Sequence, residues 1–255
     1  MISGHSFSSF HPSVMTRAFS GYAVFDLDGT LADSLGDISR ALGRLLRRHG
    51  RKPVSEAETR DLIGRGPRTL VERAWILTGS PLKDGEARKM SWEYLEEYGK
   101  NPKGGTRPFP GVEEGLRRLV QRGWRLGICT NKDGRAARAL VEELGWEGWI
   151  RALVSGEEGF RKPDPRALHQ VLQRLRAPKG RHLFVGDSAV DLLTARNAGV
   201  EGVFLGHGYG KIGRMGMDGM HFFPDAVGLF QWMASSKIQG EIRLGGRNRG
   251  GLAAE

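Results

Sequence analysis

Four short polar motifs each follow an apolar run of strand length, and that recurrence restricts the chain to an open α/β sheet. The runs cover 22–25, 124–129, 150–154 and 182–185. The motifs that follow them are Asp26-Leu27-Asp28-Gly29-Thr30, Thr130-Asn131, Lys162-Pro163, and Gly186-Asp187 with Asp191. A fifth run, 203–205, extends the series. Helical patterns occupy 112–122, 134–144, 165–175 and 189–198, with Gly123, Gly145 and Gly199 as stops. Repeated strand–helix alternation predicts a parallel sheet with right-handed crossovers and helices on both faces. Such a sheet holds its ligand outside the carboxyl ends of its strands. Carboxylates, an amine and a hydroxyl scattered over most of the chain are therefore expected to converge on one site.

The rhythm stops after the first motif, for about seventy residues by periodicity. Ile38, Leu42, Leu45 and Leu46 mark one helical face, closed by Gly50. Ser55-Glu56-Ala57-Glu58 reads as a capping box opening a second helix that ends near Gly64. Pro67 suits the start of a third, whose Leu70, Val71, Ala74 and Leu77 share a face until Gly79. A fourth runs over 85–98. These helices predict a unit at 35–106 inserted into a core made of 19–34 and 107–235. Segments 1–18 and 236–255 are expected to be disordered, the first polar and serine-rich before Met15, the second basic and glycine-rich.

Composition removes several classes of function. No apolar run reaches the roughly 18 residues of a membrane span, and the start of the chain lacks the apolar stretch of a secretory signal. One cysteine, Cys129, cannot pair within the chain, which fits a reducing, cytoplasmic setting. It is expected to be a small core residue. The net charge of +10 comes with no basic face interleaved with aromatics and no nucleic-acid module, so a solvated basic surface is expected. Arg47, Arg48, Arg51 and Lys52 form its densest cluster. The expected partner is instead a small anion, which a positive field attracts.

The motifs indicate which anion. Asp26 and Asp28 stand two apart at a strand end, so their carboxylates lean to one side and call for a cation. Mg²⁺, a hard ion that prefers oxygen ligands and substrate phosphate, suits them. Gly29 allows a sharp turn beside the ligand, and Thr30 can hydrogen-bond back to hold the loop. Thr130 and Asn131 offer a hydroxyl, an amide and backbone N–H groups to phosphoryl oxygens, and Lys162 can neutralise both a carboxylate and a phosphate. Asp187 is expected in the metal shell, with Asp191 one helical turn further on. Asp187 or Ser188 is equally suited to capping the helix that follows. His207 and Tyr209 are placed at the rim, where substrate contact and a plain glycine-rich loop are both open readings.

The stretches Asp26-Leu-Asp-Gly-Thr-Leu-Ala-Asp-Ser34, Thr130-Asn-Lys132, Lys162-Pro-Asp-Pro165 and Gly186-Asp-Ser-Ala-Val-Asp191 resemble the four motifs of the haloacid dehalogenase superfamily. Within it the chain is most similar to phosphoglycolate phosphatases, over about 22–232. The resemblance implies a Rossmann-like core with a helical cap between the first and second motifs. It implies Asp26 as nucleophile and Asp28 as general acid/base, with Thr130 and Lys162 on phosphate. Asp26, Asp187 and the Asp28 backbone carbonyl would hold Mg²⁺, with Asp191 beside them. A second carboxylate at Asp28 argues against true dehalogenases, and Thr30 stands where related mutases usually carry Val. Gly64-Arg65-Gly66 falls where phosphoglycolate phosphatases often have Gly-Asn-Gly. Arg65 is a candidate clamp for a substrate carboxylate, with a solvated arginine after a helix end as the competing reading. The expected activity is Mg²⁺-dependent hydrolysis of a small phosphomonoester, 2-phosphoglycolate first. Another small phosphate (a sugar phosphate, a nucleotide or pyrophosphate), a phosphoglucomutase-type transferase and a silent binding protein are the alternatives.

Overall fold

The structure, a computed structural model, describes residues 21–100, 104–212 and 219–235. The expectations for 1–18 and 236–255 lie outside the described residues. The chain enters the core with β1 (Gly21–Phe25) and leaves it through the short β2 (Ala32–Asp33). It then builds α1 (Leu35–Arg48), α2 (Glu56–Leu62), α3 (Pro67–Leu77) and α4 (Glu86–Gly99), and returns through β3 (Arg107–Pro108). From there helix and strand alternate: α5 (Val112–Gln121), β4 (Trp124–Cys129), α6 (Gly134–Glu143), β5 (Ile150–Val154) and α7 (Pro165–Arg174). The series closes with β6 (Leu183–Gly186), α8 (Ala189–Ala198), β7 (Glu201–Leu205), β8 (His221–Phe223) and α9 (Ala226–Met233).

The main sheet has six strands in the order β5-β4-β1-β6-β7-β8, all paired in parallel. Its side chains alternate between two apolar layers, as the two-residue period of a strand requires. Ala23 and Phe25 of β1 face Leu116 and Leu119 of α5 and Leu229 and Phe230 of α9. Tyr22 and Val24 face Leu168 and Val171 of α7 and Ala195 of α8. Burial on both faces is why these strands read as unbroken apolar runs.

β1 lies at the centre, with Phe25 in register with Ile128 of β4 and with Val185 of β6. The carboxyl ends of these three strands are thus level, and Asp26, Thr130 and Asp187 leave the sheet side by side. The Asp26 N–H extends the ladder by one bond to the Val185 carbonyl, at 2.9 Å.

The four inserted helices bury a core of their own, in which Leu42, Leu45 and Leu46 of α1 meet Val71 and Trp75 of α3 and Met90 and Tyr94 of α4. The capping box forms as expected: Ser55 Oγ accepts from the Glu58 N–H, and Glu58 accepts from the Ser55 N–H at 2.7 Å. Arg51 departs from the solvated basic surface expected of its cluster. Its guanidinium lies 5.0 Å from the Trp75 ring and donates to the carbonyls of Trp75 and Ser80, tying the end of α1 to the end of α3.

Three features have no counterpart in the sequence reading. β2 and β3 pair antiparallel as the two crossings between core and cap, each too short to show a period. β8 has only three residues, and its backbone pairing with β7 makes it a strand. α9 opens with Asp225 accepting from the Gly228 N–H and packs Leu229, Phe230 and Met233 on the sheet. Among the described residues no helix is long and apolar enough to cross a membrane.

Candidate active site

Asp26 is the first residue beyond the central strand and is almost fully buried. Its Oδ1 accepts the Leu27 N–H at 2.7 Å, and its Oδ2 meets Lys162 Nζ at 2.8 Å. Lys162 arrives from the loop after β5, and the same ammonium donates to Asp191 Oδ1 at 2.6 Å. Burial opposes the charge on Lys162, but Asp191 and Asp26 outweigh it and hold the amine protonated, above its ordinary range. Burial pushes the Asp26 carboxyl up to about 7 against the charge of Lys162, with Asp191 and Asp187 adding to the rise.

Asp187 follows β6 and is held from three directions. Thr30 Oγ1 donates to its Oδ1 at 2.7 Å, and the N–H groups of Tyr209 and Gly210 donate to its Oδ2 at 2.8 and 3.2 Å. Thr30 therefore anchors a carboxylate from another strand, where it was expected to hold its own loop. Gly29 is required by the same carboxylate: with φ at +86°, a Cβ there would lie 2.5 Å from Asp187 Oδ2. Its N–H goes to the Ala32 carbonyl, so the role found for Gly29 is space and turn geometry. Burial, then the neighbouring Asp191, pushes the Asp187 carboxyl up to about 6 against these hydrogen bonds.

Asp26, Asp187 and Asp191, all buried, each present an oxygen within 4.8 Å of the others. The cluster of three carboxylates holds one ammonium, in contact with Asp26 and Asp191, an imbalance that a divalent cation would correct, and an all-oxygen donor set suits Mg²⁺. The donor set thus fits the expected ion. Asp191 also completes the capping box of α8 with Ser188, so capping and membership of the acidic cluster coexist.

The Asp28 carboxylate lies outside that cluster, contrary to a cation shared between the Asp26 and Asp28 side chains; its backbone carbonyl stays the candidate ligand. Lys132 Nζ approaches Asp28 Oδ1 and Oδ2 at 2.9 and 3.2 Å, and Ser34 Oγ donates to Oδ1 at 2.6 Å. Each carboxylate of the first motif thus has its own lysine, which removes the repulsion that suggested a shared ion. Lys132 belongs to the second motif, and its residue type alone implies no role there. Its signal was position: it stands two residues past Thr130, in the loop after β4, and lines the same pocket.

Thr130 is buried in the wall of the pocket between core and cap, and its Oγ1 accepts from the Lys132 N–H at 3.2 Å. The side chain of Asn131 is engaged elsewhere than on a phosphate. Its Nδ2 donates to the carbonyls of Lys162 and Gly64, both at 3.0 Å, and its Oδ1 accepts the Lys162 N–H at 2.9 Å. An amide has two N–H donors, and both are taken. Asn131 therefore joins the second motif, the third motif and the cap.

The turn Gly64-Arg65-Gly66 does lie against the site. At Gly66 φ is +84°, and a Cβ would come 2.8 Å from the Asn131 carbonyl. Gly64 and Gly66 line the pocket, but Arg65 is exposed and stands outside its lining. The cap wall is otherwise uncharged, with Ile38, Ile63, Leu70, Tyr94, Leu95 and Tyr98. Cys129 is a buried core residue whose thiol is pushed up to about 12 by burial.

The rim residues brace the crossings between core and cap. Tyr209 Oη accepts the N–H groups of Ser34 and Leu35 at 2.6 and 2.9 Å, where the chain enters the cap, and donates to Asp33 at 2.7 Å. His207 stacks on Phe109, just past the return crossing, with ring centroids 4.2 Å apart.

Comparison with known proteins agrees with this geometry. The model of the haloacid dehalogenase-like hydrolase family matches residues 23–205. A phosphoglycolate phosphatase of Rhodospirillum rubrum is 35% identical over 227 residues, covering 87% of this chain and 94% of its own. One from Agrobacterium fabrum is 33% identical over 213 residues, covering 83% and 89%. A crystal structure described as that of a predicted phosphoglycolate phosphatase from Haemophilus somnus 129pt superposes with a TM-score of 0.75. It shares 26% identity and covers 86% of this chain and 99% of its own. With the motifs in order on a parallel sheet beneath a helical cap, this chain belongs to the haloacid dehalogenase-like hydrolases.

Proposed function

We propose that the protein is a phosphoric monoester hydrolase that acts through an aspartyl-phosphate intermediate, with 2-phosphoglycolate as substrate. The observation that carries the reading is the arrangement of Asp26: a buried carboxylate at the central strand end, held by Lys162 and next to the Asp187–Asp191 pair. The relatives' names support the substrate, and Gly64 and Gly66 of the cap line the same pocket as Asp26 and Asp28.

In the first step an Asp26 oxygen forms a bond to phosphorus while the bond to the leaving oxygen breaks, and Asp28 gives that oxygen its proton. In the second, Asp28 takes a proton from water as the water attacks the aspartyl-phosphate, releasing phosphate and restoring Asp26. Lys162 and the Thr130 hydroxyl offset the charge on the phosphoryl oxygens. Mg²⁺, held by Asp26, Asp187 and the Asp28 carbonyl with Asp191 alongside, would supply charge neutralisation between nucleophile and phosphate. The cap excludes water and shapes the space for the leaving group. A cytoplasmic setting belongs to this reading, supported by a single, buried cysteine.

The test is phosphate release from 2-phosphoglycolate and from a panel of sugar phosphates, nucleotides and pyrophosphate, for wild type and Asp26→Asn, with Mg²⁺ present. Asp26→Asn is expected to fold and lose turnover, since an amide is a poor nucleophile. Wild-type rates in that variant would overturn the mechanism. Preference for another phosphoester would overturn the substrate alone.

A further inference from the structure

Lys132 is a buried lysine beside the reacting groups with no role in the steps above. An ammonium has three N–H donors. Nζ has three short contacts: Asp28 Oδ1 at 2.9 Å, Asp28 Oδ2 at 3.2 Å and the Tyr98 hydroxyl at 2.9 Å. That set leaves no donor for a phosphoryl oxygen, so Lys132 does not act as Lys162 does. Its two partners also belong to different parts of the molecule. Asp28 is in the core, while Tyr98 stands in the last turn of α4, in the cap.

We propose that Lys132 is a positioning residue that aims the Asp28 carboxylate at the leaving oxygen, and that Tyr98 makes this aim depend on the cap being closed. The proposal rests on the reading of Asp28 as the proton-handling group. Physically, Ser34 holds only one Asp28 oxygen, which leaves the carboxylate free to turn about that bond. Lys132 contacts both oxygens and removes the rotation. Its long side chain is flexible by itself, and the Tyr98 hydroxyl gives the ammonium its remaining fixed partner. When α4 moves away that partner is lost, and the lysine regains rotamer freedom that only burial and Asp28 then restrain. Proton transfer to the leaving oxygen would thus be efficient only with substrate enclosed.

The experiment uses the full chain with Mg²⁺ and the variants Lys132→Met, Tyr98→Phe, Asp28→Asn and the double variant Asp28→Asn/Lys132→Met. On 2-phosphoglycolate, whose alkoxide leaving group needs a proton, Lys132→Met is expected to lower kcat on the order of 100-fold with little change in KM. Tyr98→Phe is expected to lower kcat roughly 5-fold in the same pattern. With p-nitrophenyl phosphate, whose leaving group needs no proton, the initial burst of nitrophenolate should persist in Lys132→Met while later turnovers slow. Once Asp28→Asn is present, adding Lys132→Met should cost less than about 2-fold, because both changes disable the same device. An equal loss from Lys132→Met with and without Asp28 would overturn the proposal, as would a raised KM with kcat unchanged. If Lys132→Met does not fold, Tyr98→Phe decides, since it removes one hydroxyl, and an unchanged kcat overturns the dependence on the cap. Full activity in Asp28→Asn would overturn the underlying reading of Asp28, an outcome separate from all of these.

Discussion

Thr30 and Asp187 are 157 positions apart in the chain, and the threonine hydroxyl donates to the aspartate Oδ1 across 2.7 Å inside the core. The bond fixes one oxygen of a carboxylate that otherwise depends on two backbone N–H groups from the loop after β7. Thr30→Val keeps the shape and removes the donor. Partners that orient a metal-binding carboxylate contribute about 10-fold or more to affinity. The expected outcome is a rise of that order in the Mg²⁺ concentration needed for half-maximal phosphatase activity, read from a metal titration. An unchanged titration would mean that Asp187 is not a ligand or needs no such anchor.

Asn131 gives a second prediction, because its amide is engaged by protein groups on every side. Asn131→Ala leaves the Lys162 backbone and the Gly64 carbonyl without their partner, at about 1–3 kcal/mol for buried groups left unsatisfied. Melting temperature and kcat should therefore fall together. A side chain that bound phosphate would instead raise KM and weaken inhibition by inorganic phosphate, with the melting temperature unchanged.

Arg65 is exposed and outside the pocket lining. Arg65→Ala is expected to change stability by no more than about 0.5 kcal/mol, the usual range for a surface position. Its kinetic effect should be small and equal on 2-phosphoglycolate and on an uncharged aryl phosphate. A loss confined to the carboxylated substrate, when the two are compared at subsaturating concentration, would show that Arg65 swings inward on binding.

The acidic cluster predicts a pH dependence with a definite sign. Burial pushes Asp26 and Asp187 up to about 7 and about 6 from the ordinary aspartate value of 3.8. The folded, metal-free protein therefore binds these protons more tightly than the unfolded chain does. That stabilisation is complete below about pH 4 and is lost as pH rises through 6 and 7. Between pH 5 and pH 8 the metal-free melting temperature should fall, as far as these groups decide it, and Asp187→Asn should flatten the slope. Mg²⁺ should raise the melting temperature more at pH 8 than at pH 5, since protons compete for the same oxygens. Thermal unfolding with and without Mg²⁺ at the two pH values checks both statements.

The sheet was legible because its strands are buried on both faces and separated by helices whose apolar residues repeat at the helical spacing. The acidic residues were legible because a parallel sheet sends every strand end to one edge, so Asp26 and Asp187 could be expected together from opposite ends of the sequence. Partner choice was less legible. Asp26 and Asp28 looked alike as a pair two residues apart, yet one is held by Lys162 and the other by Lys132. Arg65 has the chemistry of a clamp, but the backbone of Gly66 takes the place against Asn131 and the arginine is left in solvent. His207 and Tyr209 looked like rim residues, and they bond to segments more than 170 positions away in the chain, His207 to Thr30 and Tyr209 to Ser34 and Leu35 at the entry to the cap.

By itself the sequence determined strands β1, β4, β5, β6 and β7, helices α1 to α8, the order in which they alternate, and the edge at which the chemistry collects. Those properties follow from side-chain periodicity and from the geometry of parallel crossovers, both of which act over a few turns of chain. Tertiary structure decided which lysine meets which carboxylate, and that Asn131 and Thr30 hold other residues in place. It also decided that the cap reaches Lys132 through Tyr98. A hydrogen bond is satisfied by whichever partner packing brings within about 3 Å, and packing is a property of the whole fold.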